Sequence, residues 1–161
     1  MQANAFQVYI DAWTAVERGK RQATQLTLGE LIAELERCDA EKRVMVDGTV
    51  YSVSNGHSYR GYYADMGLEP SEAEQSVEEC LAMVRGCVGA SYRGYKGGEY
   101  EMGCDAPLWI AYWGFEGSRL LRVDDGGKAV SLVTEGGVEA AVEEERARLE
   151  ELAELNGSDS E

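Results

Sequence analysis

The groups in this 161-residue chain best suited to chemistry are one histidine and a five-residue word used twice. The word is Ser58-Tyr59-Arg60-Gly61-Tyr62, and it returns as Ser91-Tyr92-Arg93-Gly94-Tyr95. Tyrosine supplies a flat apolar face with a hydroxyl, arginine a permanent planar cation, and glycine room for close backbone approach. With their neighbours the words give a candidate ligand-binding set: His57, Tyr59, Arg60, Tyr62, Tyr63, Tyr92, Arg93, Tyr95, Lys96 and Tyr100. Such a set suits a planar anion of nucleotide type, gripped by guanidinium forks and stacked on tyrosine, with the Gly97-Gly98 amides turned toward the same oxygens. A structural reading stands beside it. Tyrosines in an extended segment bury one face, and Arg60 with Asp65 or Arg93 with Glu99 would form ordinary ion pairs. A third reading is a protein interface, since Tyr, Trp and Arg dominate binding hot spots.

Catalytic equipment is sparse. His57 precedes Ser58, but adjacency in sequence does not set the geometry by which a base activates a nucleophile. The chain contains no G-x-S-x-G, P-loop, H-E-x-x-H or G-x-G-x-x-G pattern. Cys38, Cys80, Cys87 and Cys104 show no C-x-x-C spacing and are expected to be reduced thiols. No catalytic residue, metal site or cofactor is therefore assigned, and the chain reads as leaning away from an enzyme.

Charge narrows the partners. The net charge is −15. The 27 residues from Glu135 onward hold ten acids against Arg146 and Arg148, a net of −8, leaving −7 for the other 134. Such a surface repels phosphate backbones, so no direct nucleic-acid binding is expected, and a basic protein surface is the natural partner. No apolar run approaches the ~18 residues of a membrane span, and the first sixteen residues lack the features of a secretory signal, so a cytoplasmic, membrane-free protein is expected.

The elements that must position these groups read as follows. Phe6, Tyr9, Ile10, Trp13 and Val16 make the stripe of an amphipathic helix that ends at Gly19 and the polar run 20–25. Its aromatic face is placed to meet the core or a second subunit in a homodimer. Thr27-Leu28-Gly29-Glu30 and Ser76-Val77-Glu78-Glu79 are capping boxes opening further helices. Two β-rich runs around Asp47-Gly48 predict a hairpin, and Pro70 with the acidic stretch 71–75 predicts a loop. Leu108 to Trp113, apolar on both faces, reads as a central strand covered on each side, followed by a meander over 119–123 and 129–133. A last acidic helix carries Val138, Val142, Leu149 and Leu152. The expected fold is α+β in a single domain, an antiparallel sheet (hairpin plus meander) packed by about four helices. Residues 1–25 form an N-terminal helix and linker, 26–155 the domain, and 156–161 a flexible tail.

Several segments together resemble a small family of uncharacterised phage and prophage proteins of actinobacterial hosts. They are Leu26 to Ile32, Asp47-Gly48, Ser58-Tyr59-Arg60-Gly61-Tyr62-Tyr63, Gly94-Tyr95-Lys96-Gly97-Gly98-Glu99-Tyr100 with Met102, and Pro107 to Ile110. The likeness spans residues 26–133 and transfers no functional residue. It implies a phage accessory protein of the bacterial cytoplasm, a class that often blocks host machinery, antiviral defence included. The expectation is a non-enzymatic binder that occludes a host protein with a basic surface. The alternatives are a sponge holding a nucleotide-like ligand on the two words, and a nucleotide hydrolase.

Overall fold

The computed structural model describes residues 4–158. Its elements run α1 (Ala5–Thr24), α2 (Leu28–Glu36), β1 (Arg43–Val46), β2 (Ser52–Ser58), β3 (Met66–Ser71), α3 (Val77–Cys87), β4 (Ser91–Arg93), β5 (Glu99–Glu101), β6 (Leu108–Ile110), β7 (Ser118–Asp125), β8 (Ala129–Thr134) and α4 (Val138–Ser158). The fold is α+β, and both capping boxes form. Thr27 and Ser76 accept from the amides of Glu30 and Glu79, whose carboxylates return to the cap amides.

Six strands form one sheet in the order β1-β8-β7-β6-β3-β2. The meander over β6, β7 and β8 is present and antiparallel. The sheet as a whole is mixed rather than antiparallel, because β1 runs parallel to β8 and β3 parallel to β6. Near the Asp47 turn, Val46 N–H donates to Tyr51 C=O and links β1 to the approach to β2, so the sheet curls into an incomplete barrel.

The hairpin expected around Asp47-Gly48 is therefore corrected. The turn exists, with φ of 53° and 69°, but beyond the Val46–Tyr51 bond at its base its arms pair with β8 and β3. The cause is Asp47, whose carboxylate accepts from Thr134 N–H (2.8 Å), the Thr134 hydroxyl (2.7 Å) and Val138 N–H (2.8 Å). Those bonds pull the turn toward β8 and fasten the start of α4. The loop expected from Pro70 through 75 is corrected only at its start: β3 runs from Met66 to Ser71, and the loop covers 72–75. Pro70 is tolerated although it pairs with Val53 in the β2 ladder. The Val53 N–H donates to the Gln75 side chain, its C=O accepts from the same side chain, and the β3–β6 ladder stops at Leu68, so no neighbour needs the missing N–H.

α2 and α3 cover one face of the sheet. Leu28, Leu31 and Leu35 from α2 and Val77, Cys80 and Val84 from α3 meet Val44, Val53, Met66, Leu68, Leu108, Ile110, Leu120 and Leu132, all at most 1% exposed. Each fully buried leucine contributes about 2 kcal/mol. The central strand expected over 108–113 is shorter: β6 ends at Ile110 and Trp113 is exposed. The three residues of β6 are buried, Leu108 and Ile110 facing this core while Trp109 joins Tyr59 and Ala111 in a second cluster.

The first helix does not end at Gly19. It continues to Thr24, and Arg21 is its one buried residue. Glycine inside a helix costs about 1 kcal/mol relative to alanine, which the contacts of Arg21 described below outweigh. At the other end α4 remains helical through Ser158, and the rest of the expected tail, 159–161, lies outside the described residues.

Candidate functional site

Both words open a turn between antiparallel strands. Ser58 ends β2 and the loop 59–65 returns as β3, while Ser91-Tyr92-Arg93 is β4 and the turn 94–98 returns as β5. The methionine after each turn, Met66 or Met102, is wholly buried. In the second turn Gly94 N–H donates to Gly98 C=O, and Gly97 and Gly98 take φ of 97° and 82°, which favours glycine at both positions.

The first loop is organised from beneath by an ion pair the sequence did not reveal. Asp65 is fully buried and its carboxylate accepts from Arg21 Nε (2.6 Å), Arg21 Nη2 (3.1 Å) and Trp109 Nε1 (3.0 Å). The guanidinium lies 3.7 Å from the centre of the Tyr62 ring. Asp65 is thus taken by Arg21, not by Arg60 as the ion-pair reading supposed. Tyr59 stacks on Trp109 at 4.3 Å and nearly parallel, and its hydroxyl accepts from Gly117 N–H. Burial pushes this phenol up to about 12. Tyr59 is a core residue and presents nothing to a ligand.

The two words meet. Arg60 reaches across to the second, its guanidinium 4.4 Å from the Tyr95 ring centre and its Nη1 donating to Gly114 C=O at 2.9 Å. Tyr63 and Tyr100 lie 5.6 Å apart, and Tyr95 lies edge-on to Trp113 at 6.4 Å. His57 also packs edge-on against Trp113, at 5.8 Å. Tyr92 pairs with Tyr100 across the β4–β5 ladder and both pack on the core; burial, then Cys87, raises the Tyr92 phenol. Arg93 and Lys96 are exposed and stand outside this constellation. Arg93 faces Glu99 in the ladder without forming the ion pair expected of it.

His57 is 7% exposed, and neither ring nitrogen has a hydrogen-bond partner in the protein. Desolvation lowers it to about 4, so it is neutral at physiological pH. Its neighbour does not serve as a nucleophile, since the Ser58 hydroxyl donates to Tyr63 C=O at 2.6 Å. Among the described residues no group of three or more His, Cys, Asp and Glu side chains is arranged to hold a metal ion. Among the described residues no helix is long and apolar enough to cross a membrane.

Beside the junction of the words runs a groove. α4 is anchored at its start, with Val138, Ala141 and Val142 buried, but farther along it stands off the body. Between it and the β6–β7 loop lie two adjoining hollows of about 240 and 490 Å³. The first is lined by Tyr95, Trp113, Phe115, Arg148, Leu149 and Leu152. The second adds Arg60, Glu144, Glu151 and Leu155. Trp113 remains 44% exposed and Leu149 58%. Arg148 sits over Phe115 at 5.3 Å. Glu145, on the inner face of α4, has its carboxyl raised by burial and by Glu69. Apolar lining with a charged rim is the chemistry of a macromolecular contact or of an amphipathic ligand.

Sequence reasoning had named Arg60, Tyr63, Tyr95 and Tyr100, which the fold brings together. It missed Arg21, Phe115 and Arg148, for which no local pattern gives a signal. No family model, curated protein or solved structure matches the chain.

Proposed function

We propose that this is a non-enzymatic phage accessory protein that binds a host protein in the bacterial cytoplasm and blocks it, as an antagonist of antiviral defence. The observation that carries the binding reading is the groove between α4 and the Trp113–Phe115 loop, an apolar channel with half-exposed Trp113, Leu149 and Leu152. Glu144, Glu145 and Glu151 border it on a chain of net charge −15. Aromatic anchors supply affinity and the acidic border steers a basic partner. A basic amphipathic segment of the target fits this chemistry best.

The test is capture of host protein by the tagged chain. A basic partner should be recovered, its binding weakening as salt rises and falling at least about thirtyfold with Trp113→Ala. Binding that ignores both salt and Trp113 would refute the proposal.

A second reading rests on the meeting of the words: a small anionic ligand held by Arg60 and Arg148 in the same groove. Nucleotides would then raise the melting temperature, and Arg60→Ala would abolish the rise.

A further inference from the structure

α1 is an amphipathic helix mounted backwards. Its contacts with the body come from Arg21, from Arg18 paired with Asp105 at 3.5 Å, and from Gln22 donating to Asp105 C=O at 3.0 Å. At about 100° per residue these three define one side of the helix, and Phe6, Tyr9, Trp13 and Val16 cluster roughly 150° around from it. The polar side docks and the apolar side faces outward. Phe6 is 72% exposed, Tyr9 66%, Trp13 56% and Val16 58%. The segment from Ala5 to Glu17 projects beyond those docking contacts, held by its Asn4 cap and the Gln7–Asp11 hydrogen bond. A helix this short is marginal in water unless an apolar face is packed.

We propose that α1 is the interface of a homodimer, with two α1 helices packed antiparallel about a two-fold axis near Asp11. The stripe is self-complementary under that operation: Phe6 meets Val16 of the second copy, and Tyr9 meets its Trp13, as an isologous contact requires. Burying the four side chains on both copies removes roughly 1,000 Å² from water, the lower end of specific interfaces. Charge selects the direction of packing. Each chain carries −15, and an antiparallel pair holds the two acidic bodies at opposite ends of the interface, whereas a parallel pair would press them together. The stripe itself bears no charge, so nothing in it opposes association. The α1 surface is separate from the groove, so a dimer would offer two grooves.

The experiment is sedimentation equilibrium on the full chain. The wild type should be a dimer at micromolar concentration, and Trp13→Glu should weaken association at least about a hundredfold with an unchanged circular dichroism spectrum of the body. Phe6→Glu and Val16→Lys should each weaken it, and the double variant F6E/V16K should recover the dimer by facing opposite charges across the axis. A wild type that is monomeric at about 100 micromolar overturns the proposal. So does a dimer indifferent to Trp13→Glu, and a double variant no better than the single ones overturns the antiparallel pairing.

Discussion

Replacing Asp65 by alanine should unfold more of this protein than the loss of one carboxylate suggests. Asp65 is fully buried and receives three charge-assisted or polar hydrogen bonds, two from Arg21 and one from Trp109. In the variant the guanidinium of Arg21, 9% exposed, keeps only the face of Tyr62. Removing one partner of a buried pair typically costs about 3–5 kcal/mol, because the other charge stays desolvated. At roughly 2–4 °C per kcal/mol for a chain of this size, the midpoint should fall by about 6–20 °C. The pair Arg37–Glu34, with side chains 76% and 41% exposed, is the internal control. Arg37→Ala should cost less than about 1 kcal/mol. Urea titration followed by tryptophan fluorescence measures both, since Trp109 stacks on Tyr59 and its environment reports the cluster. Hydrogen exchange adds a local readout: amides of residues 18–24 should lose protection before the core does, because Arg21 joins α1 to the first word. A loss below about 1 kcal/mol for Asp65→Ala would show that the pair is hydrated in solution and refute the reasoning.

Three further outcomes are expected. His57 is lowered to about 4 by burial, below its unfolded value near 6.5, so its share of stability is complete above pH 6.5 and is lost as pH falls toward 4. Across that window wild type should lose up to about 3 kcal/mol more than His57→Gln, measured by urea titration at each pH; equal slopes would place the imidazole in water. Gly117→Ala should be strongly destabilising, by about 2 kcal/mol or more in thermal melts, since a Cβ there strikes Ile110 C=O, a backbone atom that cannot swing away. Alkylation of the native protein should modify exposed Cys104 first and Cys38 more slowly, its thiol raised by burial. Cys80, pushed up to about 12 by burial, and buried Cys87 should react only on unfolding; mass spectrometry after timed quenching distinguishes the four.

What could be foreseen follows the range of the interactions. The capping boxes at Thr27 and Ser76 close within four residues, so the chain announces them. The meander is carried by short connections and alternating apolar residues. The parallel pairing of Arg43–Val46 with Ala129–Leu132 joins segments some 86 residues apart, and no local pattern encodes it. β3 was hidden because Pro70 and the acids after it have loop composition, while its neighbours in space excuse them. For the site, the words were visible but the use of their residues was not. Tyr59 and Tyr62 belong to one word, yet Trp109 and Arg21 draw the first into the core and leave the second 45% exposed.

The fastening of α4 at Asp47 makes that helix a lever. Its 21 residues span about 30 Å, and its buried residues, Val138, Ala141 and Val142, lie near one end. A tilt of 10° about Val138 would carry Leu155 some 4 Å sideways at the helical rise of about 1.5 Å per residue, opening or narrowing the channel over Phe115 while leaving the sheet undisturbed. The width of the groove would follow the tilt of that helix. Under the proposed binding function, partners differing by the bulk of a side chain could be gripped by the same residues, with the hydrogen bonds of a single aspartate as the fulcrum.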